Sequence, residues 1–502
     1  MFLKDYFPGI EKKFQKYFFS YISFDSSKIK KNFIFFAIKG NNHDGHDFIN
    51  HAIKKGAKII IHEKKFTGLK NEILFIYTKN IRKLLAEIAF RINFDKPKNL
   101  VSVTGTNGKS SIADFYFQIL QLNKKKVASI GTLGIRTNKS FKSLSNTTID
   151  PIKLSEILKN LKKQKIENVI MEASSHGLKQ HRLDGLLFDT GIFTNLSHDH
   201  LDYHKNFRSY VNSKFSLFTK ILNNKGVAVV NSRLKNYKTL EKKIKERKIK
   251  IITYGAKDVY FYKNNYLELY ILGKKYNLTK FKLTNNIQKE NLECAISCAL
   301  AMNISINKII NCLHKLKSAP GRFEIINFKK IHSKIIIDYA HTPDALEYIL
   351  KTFSYENFKP SLVFGCGGNR DKEKRKKMAI IAKKYANKVY ITDDNPRYEN
   401  PKTIRNTIKT HCPKGIEISS RKKAIHEAIL KLDQFYSQNL FLTLRKLEDT
   451  GINLSDCGEI TEETLIRLQD VIADVSAFPF TSFLGSYVLS FRMLHGSIIG
   501  TS

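Results

Sequence analysis

Short apolar runs alternate with segments of helical spacing along most of the chain. Residues 24–63 contain the strand-like runs FIFFAI and AKIIIHE around the helix-like segment HDFINHAIKKGA. A second region begins with LVSVTGTNGKSSIADFYFQILQL, where an apolar run is followed by a glycine-bearing turn and then by apolar positions at helical spacing. NVIMEASSH and DTGIFTNLSHDH continue this alternation. Strands separated by helices predict an α/β fold with mostly parallel sheets and helices on both faces.

Breaks in this pattern divide the chain into three parts. The polar link NFDKPKN separates the first two, and a further α/β unit with the strand-like runs SKIIIDYA, PSLVFGCGG and NKVYITDD follows SAPGRFEII. A chain of 502 residues is too long for one core, because domains usually span about 100–200 residues. We therefore predict a small N-terminal α/β domain at 1–97, a central P-loop ATPase domain with a parallel sheet at 98–325, and a Rossmann-like domain at 326–502.

The charge of the chain limits the classes of partner. The formal net charge is +41, but the lysines are spread over most of the sequence and no nucleic-acid-binding module accompanies them. We expect no nucleic-acid partner and expect the charge to favour anionic small substrates. No run approaches the roughly 18 apolar residues of a membrane span, and the six cysteines match neither a disulfide framework nor a CxxC pair. These features predict a cytoplasmic protein without membrane contact. We also expect it to act as a monomer.

The last part of the chain differs in composition from the rest. Residues 436–502 carry 4 lysine and arginine residues against 8 acidic residues, whereas the whole chain carries 86 against 45. The same segment ends in the aromatic run SAFPFTSFLGSYVLSF. We interpret 436–502 as an atypical terminus of the third domain, and one that could provide an interaction surface.

The turn in VTGTNGKSS has the chemistry of a phosphate-binding loop. Backbone N–H groups around its two glycines can face a phosphate, and the following lysine and serine would open a helix. In the P-loop mechanism the lysine holds the β- and γ-phosphates and the serine binds Mg²⁺. The general pattern lacks its first glycine here, because position 103 is Val. The residues predicted to bind ATP are Thr104, Gly105, Thr106, Asn107, Gly108, Lys109 and Ser110.

The variant TGTNGKS resembles the Mur ligase family, the ATP-dependent enzymes that build the peptide stem of cell-wall precursors. Further family-like motifs follow in a fixed order: MEASSHGLKQHR (171–182), TNLSHDHLDYH (194–204), YVNSKFSLF (210–218), APGRFE (319–324), DYAHTPDALE (338–347) and DNPR (394–397). They are similar to those of members that add a third amino acid to UDP-N-acetylmuramoyl-L-alanyl-D-glutamate. The resemblance covers roughly residues 22 to 430.

This resemblance implies a reaction in which ATP phosphorylates a carboxylate and an amine attacks the acyl phosphate, with metal and cationic groups stabilising the transferred phosphoryl group. Glu172 also ends an apolar strand, where a Mg²⁺-binding acid is expected beside a P-loop. By resemblance, Lys214 is carbamylated by CO₂ and Arg322 reaches the γ-phosphate. The implied catalytic residues are Lys109, Glu172, His200, Lys214 and Arg322; the Mg²⁺ ligands are Ser110, Glu172, His200 and carbamylated Lys214; Asn291, Asp338 and His341 contact the nucleotide.

The resemblance also implies a binding site for the UDP-muramoyl-dipeptide. The segment FDSSKIKKNFIFFAIKGNNHDGHDF is similar to the uridine-binding pattern of the family, although Ser27 stands where the family has arginine. SNTTIDP and SSHGLKQHR supply polar residues that match substrate-binding positions. The residues predicted to bind this substrate are Ser26, Asn146, Thr147, Thr148, Ser174, Gln180 and Arg182.

The stretch ITDDNPRYENP suggests which amino acid is added. meso-Diaminopimelate differs from lysine by a second carboxylate, which a planar guanidinium can grip with two hydrogen bonds. An unmatched group in such a pocket costs orders of magnitude in specificity. DNPR therefore favours diaminopimelate over L-lysine, and the residues predicted to bind it are Arg370, Asp394, Asn395, Pro396 and Arg397.

One family segment is missing. By the same resemblance, a GKGHE-like sequence is expected about fifty residues after DNPR, but the chain has NLFLTLRKLEDTGINL there, in which Glu448 and Asp449 are the acids that could replace its glutamate. Two alternatives therefore stay open. The first is a catalytically impaired protein that binds the nucleotide and the UDP-muramoyl-peptide. The second is a ligase of the folylpolyglutamate synthetase type, which should lack the N-terminal uridine unit, SSHGLKQHR and DNPR.

Overall fold

The computed structural model describes residues 1–40, 43–197, 199–263, 267–278, 285–328, 333–353, 359–431 and 439–443. These residues form three sheets of 5, 11 and 6 strands. The predicted α/β class and the three-part organisation are confirmed, and each strand-like run quoted above contains a strand. Within the described residues, no helix is both long and apolar enough to span a membrane.

The N-terminal domain is a five-stranded sheet in the order β1-β2-β3-β5-β4 with only β4 antiparallel. Its core is lined by aromatic and aliphatic side chains that include Phe19, Phe36 and Leu85. The elements are β1 Tyr21–Ser23, β2 Phe33–Phe36, β3 Ile59–His62, β4 Gly68–Lys70 and β5 Ile73–Tyr77, with helices α1 Leu3–Tyr6, α2 Ile49–Lys54 and α3 Ile81–Ile92.

The central domain is built on the eleven-stranded sheet, in the order β16-β15-β14-β13-β12-β11-β6-β10-β7-β8-β9. The run from β14 to β7 is parallel, and both edges are antiparallel hairpins. The strands are β6 Asn99–Thr104, β7 Val127–Gly131, β8 Gly134–Thr137, β9 Phe141–Lys142, β10 Asn168–Glu172, β11 Phe188–Phe193, β12 Leu222–Asn231, β13 Lys250–Tyr254, β14 Val259–Lys263, β15 Leu267–Ile271 and β16 Lys274–Asn277. The helices are α4 Lys109–Leu122, α5 Pro151–Lys163, α6 Ser175–Lys179, α7 Leu201–His204, α8 Phe207–Ser216, α9 Tyr237–Glu246, α10 Asn286–Ala301 and α11 Ile306–Ile310.

Both faces of this sheet are covered, because successive side chains of a strand point to opposite faces. In β6, Leu100 packs into one core while Val101 and Val103 pack into the other. In β10, Val169 packs into the same core as Leu100, and Ile170 packs into the same core as Val101. Such strands read as continuous apolar runs rather than as alternating ones, which is why they are visible in the sequence.

The C-terminal domain is a six-stranded sheet in the order β17-β18-β22-β19-β20-β21, in which only β17 is antiparallel. Its strands are β17 Glu324–Phe328, β18 Ser333–Asp338, β19 Ser361–Phe364, β20 Val389–Ile391, β21 Ile416–Glu417 and β22 Asn439–Thr443, and its helices are α12 Pro343–Phe353, α13 Glu373–Tyr385, α14 Pro401–His411 and α15 Arg421–Leu430. β17 begins before the boundary predicted at residue 326.

Strand β22 lies inside the segment 436–502 that composition marks as atypical. It pairs in parallel with β18 on one side and β19 on the other. A strand from this segment therefore completes the middle of the C-terminal sheet. Residues 444–502, including Glu448 and Asp449, lie outside the described residues.

Because β22 is a central strand, its backbone N–H groups are needed for the sheet. We expect Leu440→Pro to remove a ladder hydrogen bond and to leave its acceptor unpaired, at a cost to the C-terminal domain of about 1–3 kcal/mol. Leu440→Ile keeps the N–H and serves as the matched control. Thermal unfolding followed by circular dichroism checks this expectation, and equal melting temperatures for the two variants would contradict the central position of β22.

Candidate active site

A cleft of about 230 Å³ opens where the carboxyl ends of central strands face the C-terminal domain. Its walls combine the glycine turn after β6, the end of β10, the segment after β11, and loops of the C-terminal domain. Among the lining residues are Thr106, Asn107, Gly108, Lys109, Ser110, Glu172, Asp199, His200, Asn291, Arg322, Asp338, His341 and Arg370. Most residues predicted to hold ATP and to catalyse the reaction are thus brought together.

The glycine turn has a conformation that requires its glycines. Gly105 has φ +144°, and a Cβ placed there would lie 1.8 Å from the Thr194 hydroxyl oxygen. Gly108 has φ +86°, caps the start of α4, and would bring a Cβ to 2.4 Å from Oδ1 of Asn291. Thr104 anchors the strand end by donating from its hydroxyl to the Ala173 carbonyl at 2.7 Å. The turn is therefore fixed by neighbouring strands, with α4 pointing its N-terminus into the cleft.

The segment after β11 holds the turn from the other side. The backbone N–H of Thr106 donates to the Asn195 carbonyl, and that of Asn107 donates to the Asn195 side chain, both at 2.9 Å. The Thr194 hydroxyl donates to the Asn107 carbonyl at 2.7 Å. Thr194 and Asn195 were not among the predicted site residues, although both lie in the motif TNLSHDHLDYH.

Two lysine ammonium groups meet at one carbonyl oxygen of the turn. Nζ of Lys109 lies 3.0 Å and Nζ of Lys214 lies 2.6 Å from the Gly105 carbonyl oxygen. Lys214 is only 2% exposed and lies over the ring of Tyr210. Burial, reinforced by the charge of Lys109, holds the pKa of Lys214 well below its usual value. Burial also lowers the pKa of Lys109, with Glu172 and Asp199 opposing.

Glu172 is held at the end of β10 by three donors. The hydroxyl of Ser110 donates to its Oε1 at 2.9 Å, and Thr132 donates from its backbone N–H to Oε1 and from its hydroxyl to Oε2 at 2.9 and 3.0 Å. A Cβ at Gly131 would lie 2.3 Å from Oε1, so this strand position must be glycine to admit the carboxylate. Thr132 and Gly131 were not predicted from the sequence, because their role depends on the pairing of β7 with β10.

His200 lies at the opposite wall of the cleft beside an acid that the sequence analysis missed. Its Nε2 is 3.3 Å from Oδ2 of Asp199, whose side chain is buried. His200 has φ +55°, and its ring packs edge-on against His176 at 4.7 Å. Burial lowers the pKa of His200 to about 2, so the imidazole is neutral and keeps a lone pair for a ligand.

Arg322 reaches the phosphate loop, and Asp338 and His341 line the same cleft. Arg322 Nη2 lies 3.3 Å from the Ser110 hydroxyl, and its guanidinium stacks over Tyr339 at 4.1 Å. Asp338 accepts from the backbone N–H of Phe323 at 2.7 Å, and its burial raises its pKa to about 6. Nε2 of His341 faces Asp199 at 3.5 Å.

A second cavity, of about 630 Å³, lies between the N-terminal and central domains. Ser26, Asn146, Gln180 and Arg182 line it, as do the aromatic residues Phe24, Phe35 and Phe48. Of the other residues predicted to bind the UDP-muramoyl-dipeptide, Thr147 and Ser174 line the first cleft. Thr148 is buried and instead bridges the Glu172 carbonyl and the Ser174 N–H.

The two loops predicted to bind the amino acid pack against each other. The N–H of Gly368 donates to the Asn395 carbonyl at 2.9 Å, and a Cβ at Gly368 would lie 1.8 Å from the Pro396 carbonyl oxygen. Arg397 has φ +52°, and its Nη1 donates to the Gly368 carbonyl at 2.6 Å. Arg370 comes shortly after Gly368 in the sequence and lines the first cleft. Asp394 points away, toward Arg421 at 3.8 Å.

The donor set suits a hard divalent cation bound together with phosphate. Within the described part of the chain, no group of three or more His, Cys, Asp or Glu side chains is arranged to hold a metal ion. The cleft offers the Ser110 hydroxyl and Glu172 in contact, with His200 on the facing wall. Mg²⁺ is usually held by one or two carboxylates together with substrate phosphates, so these residues fit it.

A phosphate loop at the end of a parallel sheet, facing a second α/β domain across a cleft, defines an ATP-dependent ligase architecture. The sequence matches the Mur ligase family, catalytic domain, over residues 19–91, the Mur ligase middle domain over 103–305, and the Mur ligase, glutamate ligase domain over 321–435. The chain belongs to the Mur ligase family.

The chain is also similar, over most of its length, to ligases that share one name. The UDP-N-acetylmuramoyl-L-alanyl-D-glutamate--2,6-diaminopimelate ligase of Rickettsia conorii is 37% identical over 442 residues, covering 85% of this chain and 91% of that protein. The protein of the same name from Anaplasma marginale is 38% identical over 429 residues, covering 81% and 87%.

Solved structures agree with the assignment to the Mur ligase family. A structure of a ligase with the same name has a TM-score of 0.65 and 27% identity, covering 94% of this chain and 98% of that chain. The Mycobacterium tuberculosis folylpolyglutamate synthase has a TM-score of 0.61 at 14% identity, covering 76% and 96%, and shares the fold alone.

The contact between Gly131 and Glu172 gives a specific prediction. We expect Gly131→Ala to displace the carboxylate and to lower ADP formation about 100-fold, since misplacing a group by an ångström costs about that much. Adding Glu172→Asp to the Gly131→Ala variant shortens the acidic side chain, makes room for the new methyl group, and should restore part of the activity. Circular dichroism controls for folding, and full activity of Gly131→Ala would contradict the role given to Glu172.

Proposed function

We propose that this protein uses ATP to join meso-2,6-diaminopimelate to UDP-N-acetylmuramoyl-L-alanyl-D-glutamate, forming ADP, phosphate and a new amide bond in peptidoglycan precursor synthesis. One observation carries the proposal: the P-loop lysine, Glu172, His200 and Arg322 line a single cleft between two α/β domains. The relatives named above carry this activity in their names.

The reaction joins a carboxylate to an amine, which is unfavourable in water without activation. ATP transfers its γ-phosphoryl group to the carboxylate of the UDP-linked dipeptide, and ADP leaves. The amine then attacks the acyl carbon, and the phosphate departs with one oxygen of the original carboxylate. Positioning and charge stabilisation account for most of the catalysis in such transfers.

Different groups of the cleft bind and stabilise different parts of the ATP triphosphate. The backbone N–H groups of the turn and the N-terminus of α4 face the phosphates. Lys109 leaves the carbonyls of Gly105 and Thr106, to which it now donates, and binds the β- and γ-phosphates. Arg322 approaches from the C-terminal side and stabilises the charge that develops on the transferred group.

Mg²⁺ would be held by Ser110, Glu172 and His200, where it would neutralise the phosphate oxygens. The hydrogen bonds from Thr132 fix the orientation of Glu172, and Asn291 packs its side chain against Gly108 on the nucleotide side. His341 and Asp338 complete the nucleotide site from the C-terminal domain.

Lys214 is suited to form a carbamate with CO₂. Its amine is buried next to Lys109, and its lowered pKa makes the neutral, nucleophilic form available. The neutral amine nitrogen forms a bond to the carbon of CO₂ and loses one proton, which leaves an anionic carbamate. Because the ordinary lysine side chain is a cation that first loses a proton to become this amine, two protons leave in total. That anion would balance Lys109 and assist in holding Mg²⁺.

The larger cavity fits the UDP-linked substrate. Its aromatic residues can receive the uracil ring, and its arginines can receive the diphosphate, while Thr147 and Ser174 lie nearer the reacting end in the first cleft. Ser27 turns its hydroxyl to Asp25 at 2.7 Å, so it does not replace the family arginine. Ser26 remains at the cavity wall.

Arg370 and Arg397 provide the selectivity for diaminopimelate. Their loops pack together: Arg370 lines the first cleft, and Arg397, which is exposed and lines no described cavity, donates to the Gly368 carbonyl beside it. Arg397 would exchange its bond to the Gly368 carbonyl for the distal carboxylate. Asn395 shapes the loop, because its side chain accepts from the Arg397 N–H at 3.2 Å.

We place this reaction in the cytoplasm, with the protein acting as a monomer on dissolved small molecules. The five cysteines within the described residues are all unpaired and buried, in keeping with a reducing compartment. The net charge of +41 favours the encounter with nucleotide and acidic peptide substrates.

An amino-acid panel tests the proposed function. ADP release should require the UDP-linked dipeptide, and diaminopimelate should be preferred to L-lysine and L-ornithine. Arg397→Gln should reduce that preference about 100-fold, because a charged hydrogen-bonded contact is worth about 2–3 kcal/mol. Lys402→Gln, an exposed cation nearby, is the control.

The panel also separates the alternatives. Binding of the UDP-linked dipeptide without ADP release would identify a non-catalytic binding protein. A preference for L-lysine would overturn the role of Arg397 while leaving the ligase assignment in place.

Isotope-labelled bicarbonate tests the carbamate. The wild-type protein should show a carbamate carbonyl signal by carbon NMR, because burial encloses the Lys214 amine and lowers its pKa. The signal should vanish in Lys214→Ala and persist when the exposed Lys220 is replaced by alanine. An active wild-type protein without the signal would contradict the carbamate.

A further inference from the structure

Asp199 joins the central domain to the C-terminal domain. On its own domain, its Oδ2 lies 3.3 Å from Nε2 of His200, and its Oδ1 accepts from the His200 N–H at 3.0 Å. Across the cleft, Oδ2 lies 3.5 Å from Nε2 of His341, and Oδ1 lies 3.9 Å from Nζ of Lys374. One carboxylate thus faces groups from both domains.

Both sides of the Asp199–Lys374 contact are buried. The side chain of Asp199 is 4% exposed and that of Lys374 is 5% exposed, although Lys374 stands near the start of a helix rich in solvent-facing lysines. A buried carboxylate is stable only when cations and hydrogen-bond donors surround it. Two of these partners are supplied by the C-terminal domain, so the environment of Asp199 depends on that domain being docked.

The contact with His200 has a chemical consequence. A carboxylate next to Nε2 favours the tautomer with its proton on that nitrogen, which leaves the lone pair on Nδ1. A carboxylate in this position also fixes the ring orientation of a metal-binding histidine, and removing it typically costs 10–100-fold in metal affinity. The orientation of His200 is therefore set by Asp199, and two further partners of Asp199, His341 and Lys374, lie on the other domain.

We propose that Asp199 is a positioning residue that couples docking of the C-terminal domain, through Lys374, to the orientation of His200 toward Mg²⁺. This inference rests on the proposed function of His200. Under this proposal the affinity for Mg²⁺ depends on Lys374 of the C-terminal domain, although Lys374 does not itself line the first cleft. Docking and metal binding then favour each other, since coupling between two sites is reciprocal.

Lys374→Met tests the coupling, because it removes the charge and keeps most of the side-chain volume. Lys376→Met makes the same change at an exposed position of the same helix and is the matched control. Two properties are measured: the Mg²⁺ concentration that half-saturates ADP formation, and amide hydrogen exchange of residues 194–205 in the protein without nucleotide or metal.

We expect Lys374→Met to raise the half-saturating Mg²⁺ concentration about tenfold and to speed exchange in residues 194–205. Lys376→Met should change neither property, and Lys374→Arg should restore most of the loss. In the Asp199→Asn background, Lys374→Met should add less than about a twofold further effect, because both changes interrupt the same contact.

Independent, multiplying effects of Asp199→Asn and Lys374→Met would overturn the inference, as would an unchanged Mg²⁺ requirement in folded Lys374→Met. If that variant does not fold, Lys374→Gln enters the same comparison. A wild-type protein that shows no Mg²⁺-dependent ADP release contradicts the proposed function instead, so the two failures are distinguishable.

Discussion

The chemistry of the cleft depends on two lysine side chains, Lys109 and Lys214, that meet at the Gly105 carbonyl oxygen. Two lysines donate to this one oxygen, at 3.0 and 2.6 Å; Lys214 is buried and Lys109 lies at the wall of the cleft. Like charges this close in a medium of low dielectric repel strongly, so both ammonium groups cannot stay charged without anions nearby. A polyphosphate for Lys109 and a carbamate on Lys214 would relieve this repulsion. The site is therefore built to be complemented by anions.

The parallel sheets explain why these groups meet. The glycine turn follows β6, Glu172 ends β10, and Asp199 and His200 follow β11, and these strands are neighbours in the central sheet. Carboxyl ends of parallel strands share one edge, where ligands bind in open α/β folds. The C-terminal sheet offers its own carboxyl edge through Asp338, the GCGGNR loop and DNPR. The first cleft lies between these two edges.

Local sequence signals predicted much of this site. The turn after β6 is recognisable because an apolar strand, two glycines and a lysine follow each other within a few residues, and Glu172 is recognisable as a strand end. The residues that support them were not predictable in the same way. Gly131 and Thr132 matter because β7 pairs with β10, and Lys374 matters because a helix far along the chain reaches Asp199. Likewise, composition marks residues 436–502 as foreign, yet β22 within them forms a central strand.

The central claim is that the cleft makes an acyl phosphate from the carboxylate of the UDP-linked dipeptide. An isotopic oxygen label in that carboxylate tests it directly, with ATP, Mg²⁺ and diaminopimelate present and the released phosphate analysed by mass spectrometry. We expect one labelled oxygen in the released phosphate for each amide bond formed. Amide formation with unlabelled phosphate would contradict it.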